Sequence, residues 1–189
     1  AANLSGKLKN DIFLKREDMQ PIFSFKIRGA YNKIVNLTTQ QKQRGVIAAS
    51  AGNHAQGVAN ACKKLKIPCF IVMPVTAPEI KVKSVKRFGS KVLLHGDSFD
   101  QAVKKAKQMA KEQKLEFIEA FDDPLTIAGQ GTIGKEILDE QNNLDAIFVP
   151  VGGGGLLAGI SAWVAQTKKD IKIYGVEVDD SACLVEAIK

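Results

Sequence analysis

The sequence predicts an α/β protein built from parallel strands with helices on both faces. Three observations carry that expectation. Short β-branched runs alternate with longer helical stretches along the whole chain. The candidate strands are close to continuously apolar, as strands buried on both faces must be. Glycine and proline fall between the runs rather than inside them. Taken in order, Ile12, Phe13 and Leu14 open a short strand at 12–15, and a helical stretch follows near 31–37. Gly45 precedes the strand 46–49, which passes into a helix at 54–65. Pro68 and Pro74 bracket the strand 69–73, and a helix near 77–88 runs up to Gly89 before the strand 91–94. A helix at 98–113 leads to the strand 116–119, and Asp123 and Pro124 separate it from a helix at 125–141. The strands 146–149 and 171–176 flank a last helix at 155–166. No linker rich in Ser, Pro or Gly divides the chain, so two lobes would have to meet through short crossings near Gly29 and Pro124.

Composition narrows the function. The 189 residues are 45% hydrophobic and 25% charged, too apolar for disorder, and they show no repeat. The net charge of +7 is uneven: residues 1–95 hold 17 Lys/Arg against 4 Asp/Glu, and residues 96–189 hold 10 against 16. Only four of the 27 cations are Arg and no basic run interleaves with aromatics, so the reading is a solvated lysine-rich face and no nucleic-acid partner. Cys62, Cys69 and Cys183 are odd in number and sit among apolar residues, which disfavours a disulfide framework and fits a reducing, cytoplasmic compartment. His54 and His95 make no metal-ligand spacing with these thiols or with each other, so no metal site is expected. No targeting leader is visible. The uncharged stretch 146–167 is long enough to span a membrane, but Pro150 and four glycines interrupt it between Asp145 and Lys168, as in a buried strand and helix.

Three glycine-rich places could hold a phosphate. Gly129 to Gly134 matches GxGxxG literally, but Asp122, Asp123, Pro124 and Leu125 separate it from the preceding strand, so the tight strand-to-helix turn is missing. Read through Lys135 it approaches a nucleotide loop, yet Glu136 stands where a magnesium-binding hydroxyl belongs. Both readings give way to a helix with small residues for close packing. The third place differs, because the apolar run 146–149 leads into Gly152, Gly153, Gly154 and Gly155 and then a helix. Four glycines let backbone N–H groups converge, and a helix N-terminus adds its positive end: an anion cradle. Gly153, Gly155 and Ala158 also fit a nicotinamide fingerprint, with Glu177 near the place of a ribose-binding acid, and this segment alone leaves both readings open.

Two more constellations bear on the choice. Lys26 stands among Ile22, Phe23, Phe25 and Ile27 with Arg28 two positions on; desolvation and a nearby cation both lower an amine pKa, as a Schiff-base lysine needs. Ser50, Ala51, Gly52, Asn53 and His54 follow a strand directly and enter a helix, an arrangement of N–H, hydroxyl and amide groups suited to a carboxylate. The plainer alternatives are helix capping by Ser50 or Asn53, and a helix-start role for His54. A reactive lysine, a carboxylate cradle and a phosphate cradle on separate βα turns together suggest pyridoxal phosphate acting on an amino acid.

At these residues the sequence resembles the fold-type II pyridoxal-phosphate enzymes, and among them the threonine dehydratases. The resemblance runs through Lys15-Arg-Glu-Asp18, Ser24-Phe-Lys-Ile-Arg-Gly-Ala-Tyr31, the loop after Ser50, Ile127-Ala-Gly-Gln-Gly-Thr132, the four glycines with Leu156, and Glu177-Val-Asp-Asp-Ser-Ala-Cys183. It favours pyridoxal phosphate over a nicotinamide, and the last motif is similar to the biosynthetic, isoleucine-pathway branch. By resemblance, Lys26 is the Schiff-base lysine and proton acceptor, and Phe25 packs beside the cofactor. Asn53 bonds the cofactor's ring hydroxyl oxygen. Gly152, Gly153, Gly154, Gly155 and Leu156 hold its phosphate. Ser50, Ala51, Gly52, Asn53 and His54 bind the substrate carboxylate. The implied reaction is β-elimination from L-threonine to 2-oxobutanoate and ammonia, with L-serine a second substrate, in an allosteric homo-oligomer. Serine racemases of this family carry a Ser where this chain has Ala51, which favours elimination over racemisation here. Cys183 stands where their metal site uses a carboxylate, although Glu177 matches. The resemblance implies a small lobe over 29–123 and an incomplete large lobe from 1–28 and 124–189. It also implies a domain that continues for on the order of a hundred residues past Lys189.

Overall fold

The computed structural model describes residues 1–168 and 170–189. Helix α1 spans Ala2–Leu8, and a 3-10 turn at Glu17–Met19 leads to α2, Lys26–Val35, and α3, Thr39–Arg44. Four strands then alternate with helices: β1 Val46–Ala49, α4 Asn53–Leu65, β2 Cys69–Met73, α5 Glu79–Lys86, β3 Lys91–Leu94, α6 Phe99–Gln113 and β4 Glu116–Phe117. The long helix α7, Pro124–Glu140, precedes β5 Ala146–Pro150, α8 Gly155–Thr167, β6 Lys172–Val176 and a short α9, Cys183–Ala187.

All strand pairs are parallel. The first sheet has the order β3-β2-β1-β4, and β5 pairs with β6 in a second sheet of two strands. Period-two alternation sends β1 to both sides of its sheet. Val46 and Ala48 join Ile71 and Met73 in a core with Ile34, Val58 and Val85 of the helices on one face. Ile47 and Ala49 join Val72, Ala102 and Ala106 on the other. Both faces of this sheet are therefore covered. The second sheet is covered on one face by α7 and α8, through Ile133, Ile147, Val149, Ile160 and Val164. On its other face Phe148 and Tyr174 stack with ring centroids 5.0 Å apart and remain exposed beside Val176. Among the described residues no helix is long and apolar enough to cross a membrane; the uncharged stretch is a strand, a glycine turn and a helix.

Several elements differ from the sequence reading. Residues 12–15 form no strand. The Ile12 N–H donates to Ser5 Oγ at 3.0 Å and its carbonyl accepts from the Ala1 ammonium at 2.8 Å, so its polar groups are taken by the first helix rather than by a ladder. Helix α2 begins at Lys26, five residues before the expected start, because packing around Gly29 overrides the low helix propensity of glycine. A crossing at Gly29 lies inside this helix. Strand β4 is two residues long rather than four. The short helices α1, α3 and α9 were not expected; α3 is held by a capping box between Thr38 and Gln41.

Four of the helices touch through glycines. A Cβ on Gly129 would lie 2.6 Å from the Gly29 Cα, one on Gly131 would lie 2.8 Å from the Gly159 carbonyl oxygen, and one on Gly57 would lie 2.9 Å from the Lys26 carbonyl oxygen. Real Cβ atoms do not approach so closely, so α2 meets α7, α7 meets α8 and α4 meets α2 backbone to backbone. The GxGxxG stretch is thus a packing surface inside α7. Its consequence is positional, since the starts of α2, α4 and α8 are fixed relative to one another.

Candidate active site

The three helix starts carry the residues singled out above. Lys26 is the first residue of α2, and its Nζ donates to the Ala120 carbonyl at 2.6 Å. Burial pushes its amine below the ordinary lysine value. Phe25 lies beside it, with Nζ 5.5 Å from the ring centroid. The expected contribution of Arg28 to that lowering is corrected by the structure. Its guanidinium is paired with Glu17 and Glu136, which cancel its charge, and desolvation alone accounts for the shift.

The second start is the loop between β1 and α4. Ser50 Oγ accepts from the Gly52 N–H at 3.0 Å and so shapes the loop, and no side chain caps α4. Capping by Ser50 or Asn53 is therefore not what these residues do, and the first-turn N–H groups have no side-chain partner. Ser50, Ala51 and Gly52 are half-buried and Asn53 is exposed. The His54 imidazole turns inward. Only 4% of the residue is exposed, Nε2 lies 3.0 Å from the Ile118 carbonyl oxygen, and Nδ1 has no partner. Burial, with a smaller effect of the Lys26 charge, lowers its pKa to about 4, so it is neutral at pH 7. Since that carbonyl can only accept, Nε2 carries the proton. What His54 offers the loop is its backbone N–H.

The third start is the glycine turn before α8. Gly154 has φ +83, a left-handed conformation that a side chain would strain, and no side chain caps the helix. The Phe121 ring covers Gly153, its carbonyl oxygen would lie 2.7 Å from a Cβ on Gly155, and Gly152 faces open space. Leu156 is buried in the α7–α8 core. Phe121, Asp122, Gly153, Gly154, Gly155 and Ser161 are among the residues lining a cleft of about 540 Å³.

Sequence reasoning missed the segment that joins these parts. Residues 118–121 continue from β4, and they hold His54 through the Ile118 carbonyl, Lys26 through the Ala120 carbonyl, and the glycine turn through Phe121. Their signal was position alone, at the carboxyl end of a parallel strand, where ligands of α/β folds bind. Glu177 does not face a ribose site: its two carboxylate oxygens accept from the N–H groups of Leu184 and Val185, at 2.9 and 3.1 Å. Among the described residues no three His, Cys, Asp or Glu side chains gather as a metal site, and Cys62, Cys69 and Cys183 are free thiols.

The ion pairs behind the site give one pH dependence. The Arg28 guanidinium, with Lys15 assisting, lowers the Glu136 carboxyl from about 4.5 to about 2. A carboxylate with a depressed folded pKa stabilises fully above its unfolded value, and that contribution is lost as pH falls from about 4.5 toward about 2. The urea midpoint should therefore drop across this window, and Glu136→Gln should flatten the drop. An identical acid limb in the variant would remove Glu136 from the account.

A lysine with a lowered amine, set near the uncapped start of α4 and the glycine turn that opens α8, suits a cofactor that carries an aldehyde and a phosphate. The chain belongs to the pyridoxal-phosphate dependent enzyme family, which matches over residues 1–189. Within that family it is 54% identical over 188 residues to the biosynthetic L-threonine dehydratase IlvA of Pasteurella multocida, covering 100% of this chain and 37% of that protein. It is 52% identical over 189 residues to the mitochondrial threonine dehydratase of Saccharomyces cerevisiae, covering 98% of this chain and 33% of that one. The chain thus spans about a third of the length of these curated relatives. Among solved structures, the processed form of threonine deaminase isoform 2 from Solanum lycopersicum superposes with a TM-score of 0.92 at 48% identity, over 94% of this chain and 49% of that one. Maize serine racemase superposes with a TM-score of 0.94 at 35% identity, over 100% and 58%.

Proposed function

We propose that the chain carries the reactive lysine, carboxylate loop and phosphate cradle of a threonine-deaminating ammonia-lyase. The observation that carries this reading is Lys26 Nζ, held on the Ala120 carbonyl with a lowered amine pKa, close to two helix starts that no side chain caps. The names of the relatives support threonine as substrate. When bound, pyridoxal phosphate supplies the electron sink that lets an amino acid lose its α-proton and then its β-hydroxyl. The backbone N–H groups of Gly152, Gly153, Gly154, Gly155 and Leu156 would hold the phosphate, and Phe25 and Asn53 would flank the ring. Ser50, Ala51, Gly52, Asn53 and His54 would present N–H groups to the substrate carboxylate. Lys26 Nζ, whose ammonium form burial disfavours, would take up the α-proton. The products are 2-oxobutanoate and ammonia, and L-serine is the proposed second substrate. A small lobe over 29–123 and a larger one from 1–28 and 124–189 fit the two sheets, which lie within 46–117 and 146–176. We also assign the whole protein to a homo-oligomer in a reducing, cytoplasmic compartment.

The test is borohydride reduction after addition of pyridoxal phosphate, followed by peptide mapping. A pyridoxyl group on Lys26 is expected; label only on other lysines would sink the assignment. A second reading, racemisation of serine, draws on the likeness to maize serine racemase and turns on Ala51, whose methyl group can neither give nor take a proton. Ala51→Ser is expected to raise D-serine formation relative to pyruvate, and an unchanged product ratio counts against this role for the position.

A further inference from the structure

Two residues beyond Lys26, the Arg28 guanidinium has all five N–H groups engaged. Nε donates to Glu17 Oε2 at 2.8 Å, and Nη2 donates to Glu17 Oε1 at 2.7 Å and to Glu136 Oε2 at 2.8 Å. Nη1 donates to Glu136 Oε1 at 2.6 Å and to Thr132 Oγ1 at 3.0 Å. Two carboxylates thus take adjacent edges of the fork bidentately, Glu17 on Nε and Nη2 and Glu136 on Nη1 and Nη2, a geometry that only arginine supports. The Arg28 and Glu17 side chains are 14% and 15% exposed, so this is not a solvated surface pair. Lys15 adds a second cation, 2.9 Å from Glu136.

The placement is informative. Glu17 lies in the 3-10 turn, and Thr132 and Glu136 lie on α7, so the fork ties the first turn of α2 to both. Just beyond it α2 and α7 touch through Gly29 and Gly129, which have no side chains to interlock, and Gln130 Oε1 accepts from the Gly29 N–H at 3.2 Å. Further along α2, Asn32 Nδ2 donates to the Leu125 carbonyl at 2.7 Å and Lys33 Nζ to Asp123 Oδ2 at 2.7 Å, leaving Arg28 as the tie nearest Lys26. The Phe25 N-cap offers no side-chain acceptor, Ser24 Oγ accepts from the Lys26 N–H at a long 3.3 Å, and the first turn of α2 holds no acidic residue. Residues two apart on a helix point to opposite sides, so Lys26 reaches Ala120 while Arg28 reaches α7.

We propose that Arg28, clamped between Glu17 and Glu136, is a positioning residue that fixes the rotation of the first turn of α2 and so aims Lys26 Nζ. The inference rests on the proposed role of Lys26. Nothing in the reaction touches Arg28 itself.

The experiment compares the unsubstituted chain with Arg28→Lys, Arg28→Met and Glu17→Gln, as these residues alone and within any longer product of the same reading frame. Four readouts are taken: the rate of borohydride-trapped pyridoxal phosphate label on Lys26, kcat, KM for threonine, and the thermal midpoint. Arg28→Lys keeps the charge but cannot fill five acceptor positions. Trapping rate and kcat should fall on the order of 10- to 100-fold, the loss that a misplacement of ~1 Å produces, with KM almost unchanged. Glu17→Gln should fall between Arg28→Lys and the unsubstituted chain, and it keeps the test open if Arg28→Met does not fold. Trapping at the unsubstituted rate in folded Arg28→Lys overturns the proposal. So does a fall in thermal midpoint with kcat and trapping unchanged per folded molecule, since that is a purely structural role. An unlabelled Lys26 in the unsubstituted chain is a separate result, and it overturns the reading of Lys26 first.

Discussion

Replacing Lys26 by alanine should abolish threonine elimination, by on the order of 10⁴-fold or more, while the fold survives. The size follows from the chemistry, because the lysine is assigned both the bond to the cofactor and the transfer of the α-proton, and removing a residue with two roles costs far more than removing a contact. The fold should survive because its own stake in the amine is small. Lys26 Nζ makes one hydrogen bond, to the Ala120 carbonyl, worth about 0.5–1.5 kcal/mol net, or about 1.5–3 kcal/mol while the amine is charged. Burial already disfavours that charge, so deleting it relieves a desolvation cost that offsets part of the loss. A thermal midpoint within a few degrees of the unsubstituted chain is expected, with no pyridoxyl label at position 26. A Lys26→Ala protein that still releases 2-oxobutanoate would place the reactive amine elsewhere.

How much of this was readable beforehand depended on what each residue contributes. Strands β1 and β2 were legible because a strand covered on both faces must be apolar throughout, and Val-Ile-Ala-Ala and Cys-Phe-Ile-Val-Met are. Lys26, the loop after Ser50 and the four glycines were legible because each carries its chemistry in side-chain identity or in the lack of a side chain. The start of α2 was not. Its case depends on Gly29 meeting Gln130, a residue 101 positions away, and propensity alone argues against a helix there. The segment 118–121 was illegible for a different reason, since it works mainly through backbone carbonyls, which every residue has. Arg28 was read as a free cation because its partners lie 11 and 108 positions distant. The residues 12–15 failed as a strand because an apolar run is only a strand if it finds a partner edge, and Ile12 bonds to Ala1 and Ser5 instead.

The crossing of α7 and α8 carries the second large expectation. Gly159→Ala adds a methyl group that would press on the backbone of Ile127 and, at 2.6 Å, on the Gly131 nitrogen. Backbone inside two packed helices cannot step aside as a long side chain can, so the helices must part. Overpacking of this kind costs about 1–3 kcal/mol and occasionally more. The better helix propensity of alanine returns about 1 kcal/mol. A net loss of about 1 kcal/mol should lower the thermal midpoint by roughly 2–4 °C for a chain of this size. Gly6→Ala is the control: position 6 lies in α1 with nothing within 4 Å, so propensity acts alone and the midpoint should rise slightly. The functional consequence separates packing from mere weakening. Helix α8 begins at the glycine turn, and α7 reaches Lys26 through Gly129 and Gly29, so parting α7 from α8 moves the phosphate cradle away from the lysine. Gly159→Ala should therefore lose affinity for pyridoxal phosphate even at temperatures where it is fully folded. A variant that matches the unsubstituted chain in both midpoint and affinity would mean the two helices do not meet at these glycines.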